Sequence, residues 1–254
     1  MSRSLLRVLV VLLLILLGVF VPLTLSGYVE LRAAPAARSH AEAAQHYQKA
    51  AQRIPWRGDL FELSGHYYYY AKAYEEADAA YQKAFMRNAL SAEGWVAWGD
   101  VVYLAGDTAR AQEIWERARR QENPAGQLYS RLAETYQSGG EFSRAAEALQ
   151  RYVASHPEDA AAHYRLGLLL TLTDLDHAAD ELLSAARLDP QFGPAVETLH
   201  AALSQSTAEG STPKGFITVG RGLGLVNEWE LAQVAFQSAV EADSAHAEAW
   251  AWLG

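Results

Sequence analysis

Few residues in this chain are arranged for chemistry. There is no cysteine, which removes thiolate catalysis, disulfides and cysteine-ligated zinc. Its 8 histidines are scattered. His40 and His46 do not stand four apart, the spacing that puts two metal ligands on one helix face. Gly220, Gly222 and Gly224 spell GxGxG, but the dinucleotide fingerprint needs a strand before it, and none is readable here. The stretch GSTPKG at 210–215 lacks phosphate-loop spacing, and Arg57-Gly58-Asp59 is an RGD tripeptide that chance accounts for. No nucleophile, base and orienting acid assemble into a reaction centre. The chain is therefore expected to be no enzyme and to hold no cofactor or metal. Recognition chemistry remains, most visibly in the run Tyr67-Tyr68-Tyr69-Tyr70. Tyrosine offers apolar area with a hydrogen-bonding tip. A helix must point four consecutive rings in different directions, so packing can use only some of them.

Charge narrows the partners. The chain carries 21 basic and 30 acidic residues, a net −9. Residues 1–27 contain Arg3, Arg7 and no acid, so the remainder carries −9 − 2 = −11. Phosphate neutralisation needs clustered Lys and Arg, and a broad nucleic-acid surface is excluded. An acidic body fits a soluble, self-repelling surface or a preference for basic partners.

The elements that must position these residues follow a ladder. Gly65, Gly99, Ala133 and Gly167 stand 34 residues apart, each with a bulky residue four before (Phe61, Trp95, Tyr129, imperfectly His163) and another three after (Tyr68, Val102, Tyr136, Leu170). After a break in phase the ladder resumes at Gly220, and Gly254 is one more rung. A fixed period of this length marks a repeat array. The clearest phrase is Trp95, Trp98-Gly99, Val102, Gly106-Asp107, Ala111, Trp115, Ala118 and Asn123-Pro124. Apolar residues at intervals of three and four put a stripe on each of two helices. Small residues such as Gly99, Ala111 and Ala118 sit where paired helices must approach closely. Gly106-Asp107 ends the first helix and starts the second, and Asn123-Pro124 closes the pair.

This phrase resembles the tetratricopeptide repeat (TPR), with Trp98 where Leu is usual and Val102 where Tyr is usual. The resemblance extends to Phe61, Gly65, Tyr68, Ala77, Tyr81 and Ala84, to Tyr129–Pro157, to Leu166–Pro190 and to Phe216–Ala239. It implies an all-α fold, a right-handed α-solenoid of antiparallel helix pairs, and the apolar leader places one amino-terminal transmembrane helix before it. The expected organisation is a transmembrane signal anchor at 1–29 and a juxtamembrane linker at 30–38. The repeat array follows at 39–192, beginning with a half-repeat at 39–54 whose first helix would have to overlap the leader. An extra helix (193–206) and a loop, TAEGSTP, break the phase across 193–212. A further unit fills 213–246, and 247–254 starts an incomplete one.

In this family the first helix of each unit lines a concave groove. The resemblance therefore implies candidate contacts at Glu62, His66, Tyr69, Tyr70, Asp100, Tyr103, Ser130, Glu134, Gln137 and Tyr164. Carboxylates among tyrosines suit a protein or extended peptide partner, polar or basic. The Lys, Asn and Arg with which some members grip a terminal carboxylate are replaced here by Glu62, Leu63, His66 and Glu93.

From Val8 to Leu25 the chain reads VLVVLLLILLGVFVPLTL, without charge. Taken over residues 5–29, this is enough helix to cross about 30 Å of hydrocarbon. Arg3 and Arg7 place the amino terminus in the cytoplasm and the repeats outside. Signal-peptide cores are shorter, and no cysteine follows for lipidation, so an uncleaved anchor in the cytoplasmic membrane is expected; the alternative is secretion after cleavage. The function expected is a non-catalytic membrane-tethered scaffold or adaptor in the cell envelope. The alternative is a recruiting arm of a larger membrane enzyme or biogenesis factor that continues past residue 254. Leu253-Gly254 falls in mid-helix, so a truncated fragment is expected.

Overall fold

The computed structural model describes residues 3–254, and the described residues form helices and turns without a strand. The chain divides into two compact units, through Ala125 and from Gly126. In the first, the long helix α1 (Arg3–Ala33) leads into α2 (His40–Arg53), α3 (Asp59–Tyr70), α4 (Tyr74–Met86), α5 (Ala92–Leu104) and α6 (Thr108–Arg119). In the second, α7 (Gln127–Ser138), α8 (Phe142–Ser155), α9 (Ala160–Leu170) and α10 (Leu175–Leu188) precede α11 (Gly193–Glu209). The helices α12 (Pro213–Leu225), α13 (Trp229–Ala242) and α14 (Ala247–Leu253) complete it. Within each unit, successive helices pack on one another. The fold is the all-α, tetratricopeptide-like solenoid.

The ladder marks the contact inside each pair. A Cβ added at Gly65 would come within 2.9 Å of the Tyr81 ring, and at Gly99 within 2.0 Å of Trp115 Nε1. At Gly167 it would meet Leu182 Cγ at 2.7 Å, and at Gly220 Phe236 Cε1 at 2.4 Å. Each large side chain of a second helix thus lies on the bare backbone of the first, which lets the axes close in and buries the ring. Trp115 is 2% exposed in this way. Its Nε1–H donates to Val96 O at 3.3 Å, so burial leaves no polar group unmet. Turns between paired helices obey the local signals. Gly106 adopts φ +95, and Asp107 accepts from Arg110 N at 3.0 Å as the amino-terminal cap of α6.

Two regions depart from the expected outline. Across the expected linker at 30–38, α1 continues through Ala33, and Ala34–Ala36 form a 3₁₀ turn. The last turns of α1 pack on α2. A Cβ at Gly27 would lie 2.6 Å from Ile54 Cγ1. Glu30 accepts from Arg53 Nη1 at 2.9 Å and bonds His46 Nδ1 at 2.7 Å. Ile54 is 0% exposed. The end of the apolar leader therefore supplies the helix that residues 39–54 would otherwise lack.

The second departure is the phase break. The helix after Phe192 does not stop at Ser206 but runs to Glu209. The loop shrinks to 210–212, with Gly210 at φ +72. Glu209 holds this turn closed, accepting from Gln205 Nε2 at 3.0 Å and Thr218 Oγ1 at 2.8 Å. Gly222, on the face of α12 toward α11, would meet Ala202 Cβ at 2.6 Å. The GxGxG stretch thus lets α12 be pressed by α13 at Gly220 and by α11 at Gly222.

Candidate functional site

In the first unit, α3 and α5 carry Glu62, His66, Tyr69, Tyr70, Asp100 and Tyr103. Glu62 sits one helical turn before His66, and its carboxylate reaches the start of α5. It accepts from Ser91 N and from Ser91 Oγ, both at 2.6 Å. His66 Nε2 lies 3.5 Å from Glu62 Oε1, and its Nδ1 is 2.8 Å from the Tyr81 hydroxyl. One tautomer satisfies this line, with Nε2–H toward Glu62 and Nδ1 accepting from Tyr81. Burial pushes the Glu62 carboxyl up, but the His66 and Ser91 bonds outweigh it and hold it below the usual value. Burial drives the Tyr81 phenol strongly upward, with Glu62 adding to the shift. A carboxylate–imidazole–phenol line can relay protons, but this phenol is fully buried and stays neutral. Glu62 and His66 are engaged in joining neighbouring repeats.

The tyrosines divide as their helix demands. Tyr68 is buried and donates to Gln48 Oε1 at 3.2 Å. Tyr67 packs on Tyr47 with ring centroids 5.1 Å apart. Tyr69 is half-buried beside Tyr74, while Tyr70 is 60% exposed and lies 5.6 Å from the His40 ring. Tyr103 is exposed over Trp115, and Asp100 is half-buried. Tyr70 and Tyr103 keep free ring surface.

The second unit carries the other four expected residues. Ser130, Glu134 and Gln137 lie on α7, and Tyr164 on α9. Ser130 is half-buried and Glu134 is exposed. Arg165, beside Tyr164, reaches back to α7, donating to Gln137 Oε1 at 3.2 Å and Glu134 Oε1 at 3.4 Å. Between these helices and the start of α13 lies a recess of about 220 Å³. Its apolar wall is Leu168, Leu169 and Leu231; Gln137, Tyr164, Arg165 and Glu228 give it polar atoms. The Tyr164 ring stacks on Phe192 at 4.7 Å, which holds it in place.

Glu228 is the distinctive group of this recess. It is half-buried, and its carboxylate has no hydrogen-bond or ion-pair partner among the described residues. Burial raises its pKa, Glu230 raises it further, and Arg165 opposes them. Burial likewise raises the Tyr164 phenol, with Glu228 contributing. A partly desolvated carboxylate beside an aromatic face matches an ammonium or guanidinium group. Position within the repeat pointed to Glu134, Gln137 and Tyr164 but not to Arg165, Phe192, Glu228 or Leu231. Phe192 lies outside the regular ladder, and Glu228 falls at the turn that starts the second helix of its unit, a position whose meeting with Tyr164 the period does not signal.

Residues 130–191, spanning most of α7–α10, match the family model of the tetratricopeptide repeat. Among solved structures the chain is similar to YrrB, described as a TPR protein with an unusual peptide-binding site. The two are 19% identical over 82% of this chain and 97% of that one, with a TM-score of 0.53. It is also similar to the C-terminal part of a TPR repeat-containing protein from Cytophaga hutchinsonii. That match is 14% identical over 90% of this chain and 99% of that one, with a TM-score of 0.52. Likeness at these identities is likeness of fold. No curated protein matches the sequence significantly.

Proposed function

The chain is a tetratricopeptide-repeat protein, and from that premise we propose that it is a non-catalytic adaptor, held in a membrane by α1, that binds an extended basic segment of a protein partner. Repeat arrays present long surfaces to partner chains, so the working part is the surface itself. The observation that carries the peptide reading is the half-buried Glu228 carboxylate at the Tyr164 recess, which accepts no hydrogen bond from the described residues and feels Arg165 only at longer range. A lysine or arginine side chain entering there would pair with Glu228, lay its stem on Leu168 and Leu231 and meet the Tyr164 ring. The exposed faces of Tyr70 and Tyr103 offer separate contact area on the first unit.

The tether rests on α1. It is long and apolar enough to cross a bilayer, with a window of mean hydropathy 1.9. Arg3 and Arg7 precede it, which favours a cytoplasmic amino terminus and an extracytoplasmic array. Cleavage near Ala34-Pro35-Ala36 would strip the partner from α2, exposing Ile54 and leaving His46 and Arg53 without Glu30, whereas cleavage near Thr24-Leu25-Ser26 would keep Gly27 and Glu30 in the chain. That loss argues against cleavage at 34–36, and the long apolar run favours retention of the leader and a working place in the cell envelope.

The test is binding by the full chain in detergent micelles. A dye-labelled extended peptide rich in Lys and Arg should bind saturably and weaken with salt. A peptide of equal length rich in Asp and Glu should not. Equal binding of both, or of neither, overturns the peptide reading. Release of the chain from membranes by alkaline carbonate overturns the tether.

A further inference from the structure

We propose that the loop 54–58, between α2 and α3, enters the bilayer interface beside the anchor, with Trp56 as a second membrane contact. The proposal rests on the reading of α1 as a membrane helix. Trp56 is 58% exposed, and its ring lies 5.8 Å from that of Phe20. Phe20 belongs to the uncharged run that ends at Leu25. At 1.5 Å per residue it lies about 7 Å below the end of that run. Where the run meets headgroups, Trp56 therefore reaches the depth at which indole is favoured, its body among acyl chains and its N–H toward polar groups.

The surrounding contacts fix this height. The chain descends antiparallel to α1, from Arg53 at Glu30, through Ile54 at Gly27, to Trp56 at Phe20. It then turns upward, and Arg57 stands within electrostatic reach of Tyr28. Trp56 is thus the deepest point of the loop. Arg57, paired with Asp59 at 2.7 Å, rises to headgroup level. The loop also suits a poorly hydrated place. Pro55 has no N–H, Ile54 N donates to Ala50 O at 2.9 Å, and Arg57 N donates to Ile54 O at 3.0 Å. An exposed indole in continuous contact with the lipid-facing ring of α1 shares the environment of that ring.

The native chain has no cysteine, so Trp56→Cys gives a single attachment point for an environment-sensitive dye. Trp229→Cys, at a residue 64% exposed in the second unit, is the aqueous control. Both full-length variants are reconstituted into vesicles of zwitterionic and anionic phospholipid. At position 56 we expect blue-shifted emission, loss of emission with doxyl-labelled lipid and protection from iodide, with the reverse at 229. Iodide access at 56 equal to that at 229, in a chain that resists carbonate extraction, places the loop in water and overturns the proposal alone. Protection from iodide without quenching by doxyl lipid means a protein covers Trp56, and also overturns it. Extraction of the chain by carbonate overturns the membrane reading together with it.

Discussion

Replacing Glu228 by Gln should move ligand binding and chain stability in opposite directions. The carboxylate is half-buried at the recess of Tyr164 and Leu231, and burial holds its pKa above the ordinary 4.5. A carboxyl raised on folding contributes fully below its unfolded value, and that contribution is lost as pH climbs through the folded value. At neutral pH the ionised form is therefore a liability in the free chain. Glu228→Gln keeps the shape and removes the charge, so the free variant should melt at the same temperature as the parent or higher. The difference should close below about pH 4.5, where both carry a neutral side chain. Binding should fall. A hydrogen bond to a charged group contributes about 1.5–3 kcal/mol, which at about 1.4 kcal/mol per tenfold is a loss of about 10- to 100-fold in affinity. Glu230→Gln, at the exposed neighbour, should cost under about fivefold, the range of surface pairs. Fluorescence anisotropy with the basic peptide and circular-dichroism melts of the full chain read both quantities. Unchanged affinity in Glu228→Gln would refute the reasoning. A variant that loses stability together with binding would refute it too, because Glu228 would then be structural.

Four other outcomes follow from the packing. Gly99→Ala puts a Cβ 2.0 Å from Trp115 Nε1 and should destabilise by about 1–3 kcal/mol in urea despite better helix propensity. Gly193→Ala, with nothing within 4 Å of the added carbon, should be neutral or stabilising. Gly27→Leu, forced against Ile54, should free the end of α1 and speed tryptic cleavage at Arg38 and Arg53; an unchanged digestion pattern would mean that α1 is not docked there. Glu62→Gln should destabilise by about 1–3 kcal/mol at neutral pH by weakening the bonds to Ser91 and His66. Because the Glu62 pKa is depressed on folding, its contribution is present above about 4.5 and lost as pH falls through the folded value, so the variant and parent should converge in acid.

The repeat was legible because its contacts are local in sequence. Gly99 and Trp115 belong to one unit, and pairing a bare helix backbone with a large ring every 34 residues leaves a visible period. The caps at Gly106-Asp107 were legible for the same reason. Hydropathy could place α1 but could not divide it, since its exposed part and the part packed on α2 belong to one apolar helix. The engagement of Glu62 was hidden too. Its position in the repeat marks a groove face, whereas its bond to Ser91 depends on where the next unit starts. The recess was the least legible feature. Tyr164 and Glu228 meet only because α11 intrudes between α10 and α12, which puts the start of α13 beside α9. No rule built on neighbouring repeats anticipates a contact that skips across an inserted helix.

The joining of α1 to the first layer also has a mechanical side. A flexible tether stores slack, and whatever happens at one end is forgotten before it reaches the other. A helix does not. Gly27, Glu30 and Leu31 continue the same helix as Phe20, so turning or tilting the apolar half would bear on Glu30, His46, Arg53 and Ile54, with Pro22 as the point where the helix can bend. The first layer of the array is mounted on a shaft, and torque at one end arrives at the other as displacement.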